Sequence, residues 1–281
     1  MIIYKKISAI REKLVTLRQI GKVGFVPTMG ALHQGHIQLL RTAKNENPFS
    51  VVSIFVNPAQ FNDPGDFQKY PVTLEKDIEK LAREGCDILF LPDQEEIYPG
   101  GITSLAPYDL GMLDHILEGK YRPGHFQGVC RVVDRLLELV EPDFLYLGQK
   151  DYQQCMVIRR LLEINGSKTE LHICDTVREQ DGLAMSSRNM RLSPIQRSVA
   201  PQIYRVLQYL QEHLQRGNLA ALRNYANVEL SRNGFRVDYV EFANARSLEI
   251  RNSWDGREPL VALVAAFIDD VRLIDNKVLQ P

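Results

Sequence analysis

The chain has 281 residues, 44% of them apolar, and a formal net charge of −1, which is enough apolar material for one large core or two smaller ones. Near-balance of charge without a dense basic run argues against a dedicated nucleic-acid surface. No stretch approaches the roughly 18 apolar residues of a membrane span and Met1 to Lys6 lacks a signal peptide's apolar core, so a soluble cytoplasmic protein is expected.

Ser8 to Gln19 reads as a leading helix with Ser8 as its N-cap. Strand-like apolar runs then recur at Val23 to Val26, Val51 to Val56, Ile88 to Leu91, Phe144 to Leu147 and Leu171 to Cys174. Helical spacing separates them at Ile37 to Lys44, Leu74 to Arg83, Val129 to Val140 and Tyr152 to Ile164. Such alternation predicts an α/β fold, a doubly wound Rossmann-like parallel sheet over residues 1–175, with ligands outside the carboxyl ends of its strands. After residue 175 the pattern changes to helices at Pro194 to Gln215 and Leu219 to Arg232, then strands at Val237 to Phe242, Leu260 to Ile268 and Val271 to Ile274. Asp269 and Asp270 read as a tight hairpin, and residues 176–281 as a smaller C-terminal α+β domain. The four cysteines, Cys86, Cys130, Cys155 and Cys174, show no C-x-x-C spacing and suggest free thiols in a reducing compartment.

The sharpest local pattern is Pro27-Thr-Met-Gly-Ala-Leu-His-Gln-Gly-His36. It places His33 and His36 at a strand-to-helix turn, where unpaired N–H groups and the helix dipole welcome an anion such as a triphosphate. Gly35 permits close approach, and imidazole N–H groups aimed at phosphoryl oxygens would stabilise charge growing in a transition state. A metal half-site or two surface histidines are the other readings of the pair, but scattered His and Cys elsewhere supply few partners for zinc.

Further segments fall at predicted strand ends. Asn57-Pro58-Ala59-Gln60-Phe61 carries amides suited to a substrate with hydroxyl and carboxylate groups, or is plain turn chemistry. Arg122 to Phe126 is either a wall of a site or a rigid turn. In Gly148-Gln149-Lys150-Asp151-Tyr152-Gln153-Gln154, a lysine at a helix start opposes the dipole unless a polyphosphate binds there. Asp151 could accept from ribose hydroxyls, and Gln154 could face the same cleft. Met185-Ser186-Ser187-Arg188 offers two hydroxyls and a guanidinium for phosphate oxygens.

Taken together these segments resemble the nucleotidyltransferase superfamily that shares a His-x-Gly-His signature with class I aminoacyl-tRNA synthetases. Within it the chain resembles the pantothenate synthetase (pantoate:β-alanine ligase) family through Pro27 to His36, Phe55 to Phe61, Arg122 to Val129, Pro142 to Gln154, Thr176 to Asn189 and Val271 to Asn276. The resemblance implies ligation of (R)-pantoate with β-alanine by ATP and Mg²⁺, through a pantoyl-adenylate, releasing AMP and pyrophosphate. It places ATP on Met29, Gly30, Ala31, Leu32, His33, Gln34, Gly35 and His36, on Gly148, Gln149, Lys150 and Asp151, and on Val177, Met185, Ser186, Ser187 and Arg188. His36 is the position the family assigns as general acid; His33, His36 and Lys150 are read here as stabilisers of transition-state charge. Gln60 and Gln154 match the pantoate-binding glutamines, Asn57 is an additional substrate contact, and Asp77 is a metal-side candidate, with Mg²⁺ held mainly by the ATP phosphates.

The family also implies a homodimer; a second domain closing over ATP as a lid is expected because it would exclude water from the labile adenylate. Gln149 stands where the family commonly has Glu, and Gln127 where Arg is frequent. Two rival functions stay open on sequence: another adenylyltransferase, separable by a substrate screen, and a catalytically silent ATP sensor, in which His36→Ala would cost binding and turnover equally.

Overall fold

A computed structural model describes residues 1–101 and 106–279. The described chain divides into two compact units, one of residues 1–148 and 157–175, the other of 149–156 and 176–281. The second unit thus takes in 149–156, a stretch that the sequence reading leaves in the first domain.

In chain order the first stretch runs β1 (Ile2–Tyr4), α1 (Ile7–Arg18), β2 (Val23–Thr28), α2 (Gln34–Glu46), β3 (Phe49–Ile54), α3 (Pro64–Gln68), α4 (Leu74–Arg83), β4 (Ile88–Phe90), α5 (Gln94–Ile97), α6 (Leu117–Tyr121), α7 (His125–Val140), β5 (Phe144–Gly148), α8 (Tyr152–Ile164) and β6 (Glu170–Cys174). Its strands form one six-stranded parallel sheet in the order β1-β4-β3-β2-β5-β6. The strand order reverses between β2 and β5, and that crevice is where a doubly wound sheet collects ligands. Val26, Val52, Leu89 and Tyr146 pack with Leu40, Ala43 and Leu81 of α2 and α4 into a buried core. The apolar runs form strands because both sheet faces are covered, which selects continuous rather than alternating hydrophobicity.

Two local expectations change. Helix α1 starts one residue early and its N-cap is Lys6, with no side-chain cap bond, so Ser8 is not the cap. β1 is not among the expected strands: three residues pair with β4 at a sheet edge, too short a run to show periodicity.

The second stretch runs α9 (Pro194–Val199), α10 (Gln202–Glu212), β7 (Gly217–Asn218), α11 (Ala220–Arg232), β8 (Arg236–Asn244), β9 (Ser253–Trp254), β10 (Leu260–Ile268) and β11 (Val271–Leu279). The helix expected over 194–215 is two helices, broken where Pro201 lacks the N–H that would continue α9. β8, β10 and β11 make an antiparallel sheet, and β7 pairs with β9. Asp269 and Asp270 form the expected two-residue hairpin, Asp269 taking φ +50°. Leu207, Leu210, Ala226, Leu230, Phe242 and Val264 are buried in the core between helices and sheet.

Candidate active site

The carboxyl end of β2 enters a turn in which nearly every backbone donor is claimed by a side chain. Thr28 Oγ1 donates to the Ser53 carbonyl at 2.7 Å and accepts the Gly30 N–H at 3.2 Å. Gly30 (φ +80°) and Ala31 (φ +48°) are both left-handed, a conformation that costs a non-glycine residue about 1–3 kcal/mol. The Ala31 and Leu32 amides donate to the two oxygens of Asp77, each at 2.8 Å, and Thr73 Oγ1 donates to the same carboxylate at 3.1 Å. From the next turn of α4, Lys80 Nζ donates to the Leu32 carbonyl at 2.5 Å.

His33 is the N-cap of α2. Its Nδ1 accepts from the Gly35 N–H at 3.1 Å, while its own N–H donates to His36 Nδ1 at 3.3 Å, a reciprocal capping box built from two imidazoles. The ring centroids are 4.0 Å apart. A ring nitrogen that accepts carries no proton, so both imidazoles are neutral with the proton on Nε2. This revises the expectation from sequence: the helix-start amides are partly consumed by the histidines, and the donors that the two rings carry are their Nε2–H groups.

Asp77 does not fit the metal-side role expected for it. Its side chain is 1% exposed and both oxygens accept from amide or hydroxyl donors, so the carboxylate is turned onto the protein's own backbone and is not presented to solvent, where a phosphate-bound cation would sit. Among the described residues no group of three or more His, Cys, Asp or Glu could hold a metal ion.

Past β3, Asn57 caps a single 3-10 turn, Pro58–Gln60. Its Oδ1 accepts from the Ala59 amide at 3.3 Å and the Tyr98 hydroxyl at 2.9 Å, and its Nδ2 donates to Gly128 O at 3.1 Å and Gln60 Oε1 at 3.2 Å. At 1% exposure and with its hydrogen-bonding positions used, Asn57 is a scaffold for Gln60 and not the substrate contact expected. Burial pushes the Tyr98 phenol up to about 12, against the pull of Arg131, so its hydroxyl keeps its proton at neutral pH. Gln60 Nε2 approaches Met29 Sδ at 3.0 Å.

Arg122 to Phe126 is a rigid turn with a task. Arg122 Nη1 can only donate to His125 Nε2, at 3.1 Å, so the ring proton sits on Nδ1 and is given to the Gln60 carbonyl at 2.7 Å. Gly128 lets α7 close on this turn: a Cβ there would lie 2.0 Å from Ala59 O. Gln127 binds the Tyr108 amide at 2.9 Å, the Tyr108 carbonyl at 3.1 Å and Asp114 Oδ2 at 2.8 Å, tying down the preceding loop.

In the second unit, Asn276 of β11 donates to the carbonyls of Gln149 (2.9 Å) and Lys150 (2.8 Å) and accepts from Gln149 Nε2 at 3.3 Å. Lys150 Nζ lies 3.5 Å from Asp151 Oδ1. Residues 177–185 fold back on themselves, Met185 N–H donating to Val177 O at 3.0 Å. Arg178 makes a two-pronged pair with Asp275 at 2.6 and 3.0 Å and lies 4.2 Å over the Tyr204 ring. Ser186 Oγ accepts the Arg188 N–H at 3.2 Å, capping the 3-10 turn Ser187–Arg191. The sequence does not single out His125, Tyr98 or Asn276 as individual residues; only their long-range contacts identify them.

A doubly wound parallel sheet with two imidazoles capping the helix after β2, at its switch point, gives the chain the architecture of an α/β protein. The chain belongs to the pantoate-beta-alanine ligase family, whose model matches residues 2–278, and is a ligase of pantothenate biosynthesis. It is 45% identical to the pantothenate synthetase of Cytophaga hutchinsonii, covering 93% of each chain. It is also 45% identical to that of Neisseria meningitidis serogroup B, over 96% of this chain and 97% of the relative. The crystal structure of pantothenate synthetase from Thermus thermophilus superposes with TM-score 0.92 at 42% identity, covering both chains fully. That of the Francisella tularensis pantoate-beta-alanine ligase, complexed with beta-gamma ATP and beta-alanine, superposes with TM-score 0.83 at 40% identity over 99% of this chain and 97% of that one.

Proposed function

We propose that this chain ligates (R)-pantoate to β-alanine in two steps, with Mg-ATP as the activating substrate. A carboxylate is a poor acceptor for an amine because its leaving group would be oxide. In the first step a pantoate carboxylate oxygen bonds to the α-phosphorus as the bond to pyrophosphate breaks, giving pantoyl-adenylate. In the second the free amine of β-alanine attacks the acyl carbon and AMP leaves. The product is pantothenate.

The observation that carries this reading is the capping box of His33 and His36. Two Nε2–H donors held in place without net charge are preorganised for phosphoryl oxygens, and removing one such donor costs roughly 10²–10³ in rate. Such rings donate hydrogen bonds and do not need to release a proton, which favours charge stabilisation over general-acid catalysis for His36. Gln60, braced by Asn57 and His125, is assigned with Gln154 to pantoate. Lys150 and the Met185 to Arg188 segment are assigned to the ATP phosphates, Asp151 to the ribose, and Met29 to Leu32, Gln34, Gly35, Gly148, Gln149 and Val177 to the rest of the nucleotide. Mg²⁺ enters with the ATP phosphates rather than on a protein site, consistent with the engaged Asp77 carboxylate. A homodimer working in the cytoplasm completes the proposal.

Turnover with pantoate labelled with ¹⁸O in its carboxylate tests the route. The label is expected in AMP; AMP without label during productive turnover would exclude the adenylate. Omitting pantoate, β-alanine or ATP in turn should each abolish pantothenate formation.

A further inference from the structure

We infer that Asp77 is a positioning residue for the imidazole pair: from α4 it grips the left-handed turn before α2 and so sets where His33 and His36 present their Nε2–H groups. This rests on the adenylation role proposed for that pair.

The turn has no regular structure to hold it. Gly30 and Ala31 are left-handed in succession, and the two amides that follow from this geometry, Ala31 and Leu32, converge on one buried carboxylate at 2.8 Å each. Two converging donors call for an acceptor-only group. An asparagine would offer one oxygen and an NH₂, setting a donor against one of the two amides. The next residue after Leu32 is His33, whose backbone N–H holds His36 Nδ1 and whose ring holds Gly35. A shift of Leu32 therefore reaches both rings through one peptide unit. Lys80, three residues along α4 on the same face, fastens the Leu32 carbonyl, so one helix holds both sides of that residue. Thr73 at the start of α4 orients the carboxylate itself. Because each oxygen accepts a backbone amide and the side chain is 1% exposed, the carboxylate acts on the protein's own backbone.

Asp77→Asn in the full chain tests this with three readouts: steady-state pantothenate formation, Mg²⁺ titration at fixed ATP, and ¹⁵N NMR of the His33 and His36 rings, assigned by substitution. Misplacing a reacting group by about 1 Å costs on the order of 10²-fold, so kcat is expected to fall roughly 10- to 100-fold. The KM for pantoate should stay within about twofold, half-saturating Mg²⁺ should not move, and the rings should leave the single Nε2–H tautomer. Lys80→Met, which leaves the carboxylate in place, is expected to show the same signature more weakly and keeps the test open if Asp77→Asn folds poorly. Unchanged kcat with unchanged ring signals in both variants would overturn the inference. So would a tenfold rise in the Mg²⁺ requirement, which marks a metal ligand, or activity lost only in proportion to the unfolded fraction with the rings unaltered. If the wild-type chain made no pantothenate, the proposed function would fail, while the ring signals would still report whether Asp77 holds the pair.

Discussion

Around Gly30 to Leu32 the backbone turns its N–H groups inward, and the side chain that reaches them from a distant helix is the carboxylate of Asp77; around Gln149 and Lys150 it turns its carbonyls inward, and the side chain that reaches them from a distant strand is the amide of Asn276. Both holders are nearly inaccessible, at 1% and 2% exposure. The difference lies in charge. Two N–H dipoles pointing the same way stabilise a buried anion, whereas two carbonyls require a donor and would repel one. Each turn therefore dictates the polarity of its holder, and neither holder can take the other's place.

The largest effect expected along this comparison is on the chemistry the first turn presents. His36→Ala should lower kcat by roughly 10²–10³, as for other preorganised transition-state donors, with a much smaller change in ATP affinity measured by calorimetry. Equal losses in both would mean that the pair serves binding alone.

Next comes the holder of the second turn. Asn276→Asp places a carboxylate oxygen where two carbonyls already point, and should raise the KM for ATP by more than Asn276→Leu does. Asn276→Leu removes three hydrogen bonds, a loss of about 0.5–1.5 kcal/mol for each, readable in the denaturation midpoint. If Asp were tolerated better than Leu, the polarity argument for this turn would be wrong.

A smaller effect tests whether the first turn moves alone. Burial pushes the Cys86 and Cys130 thiols up to about 12, so both stay protonated and slow to react across the neutral range. The sign follows: raised thiol values favour the folded state's protonated form, and that preference is lost only as pH climbs past the ordinary thiol range toward 12. Cys86 lies in the same core cluster as Leu32 and Leu81. Its labelling by a maleimide at pH 7.5 should be equally slow in wild type and in Asp77→Asn. Fast labelling in the variant would show that the core itself has loosened.

The two histidines are legible in the sequence because their relation is local: three residues, one glycine, one strand end. The sheet is legible for a related reason, since strands covered on both faces read as unbroken apolar runs such as Val51 to Val56. What cannot be read is the set of groups that hold the local motifs in place. Asp77 is 45 and 46 positions from the amides it accepts, His125 is 65 from the carbonyl it binds, and Asn276 is more than 120 from both of its carbonyls. Nothing in the residues near Asp77 distinguishes a carboxylate meant for a cation from one meant for two amides. Asn57 misleads for the same reason, because its partners Tyr98 and Gly128 come from other elements. Pro201 is a signal available in the sequence, and the single helix expected over 194–215 overlooks it.

Gly128 has a consequence for where the Pro58–Gln60 turn stands. The missing side chain there works as a spacer of zero thickness: α7 rests directly on the Ala59 carbonyl, and one added carbon would arrive 2.0 Å from it. The depth at which Gln60 stands is thus gauged by an absence. A methyl group at position 128 would act like a shim, lifting the whole 58–60 turn and moving Gln60 while leaving that residue itself unaltered.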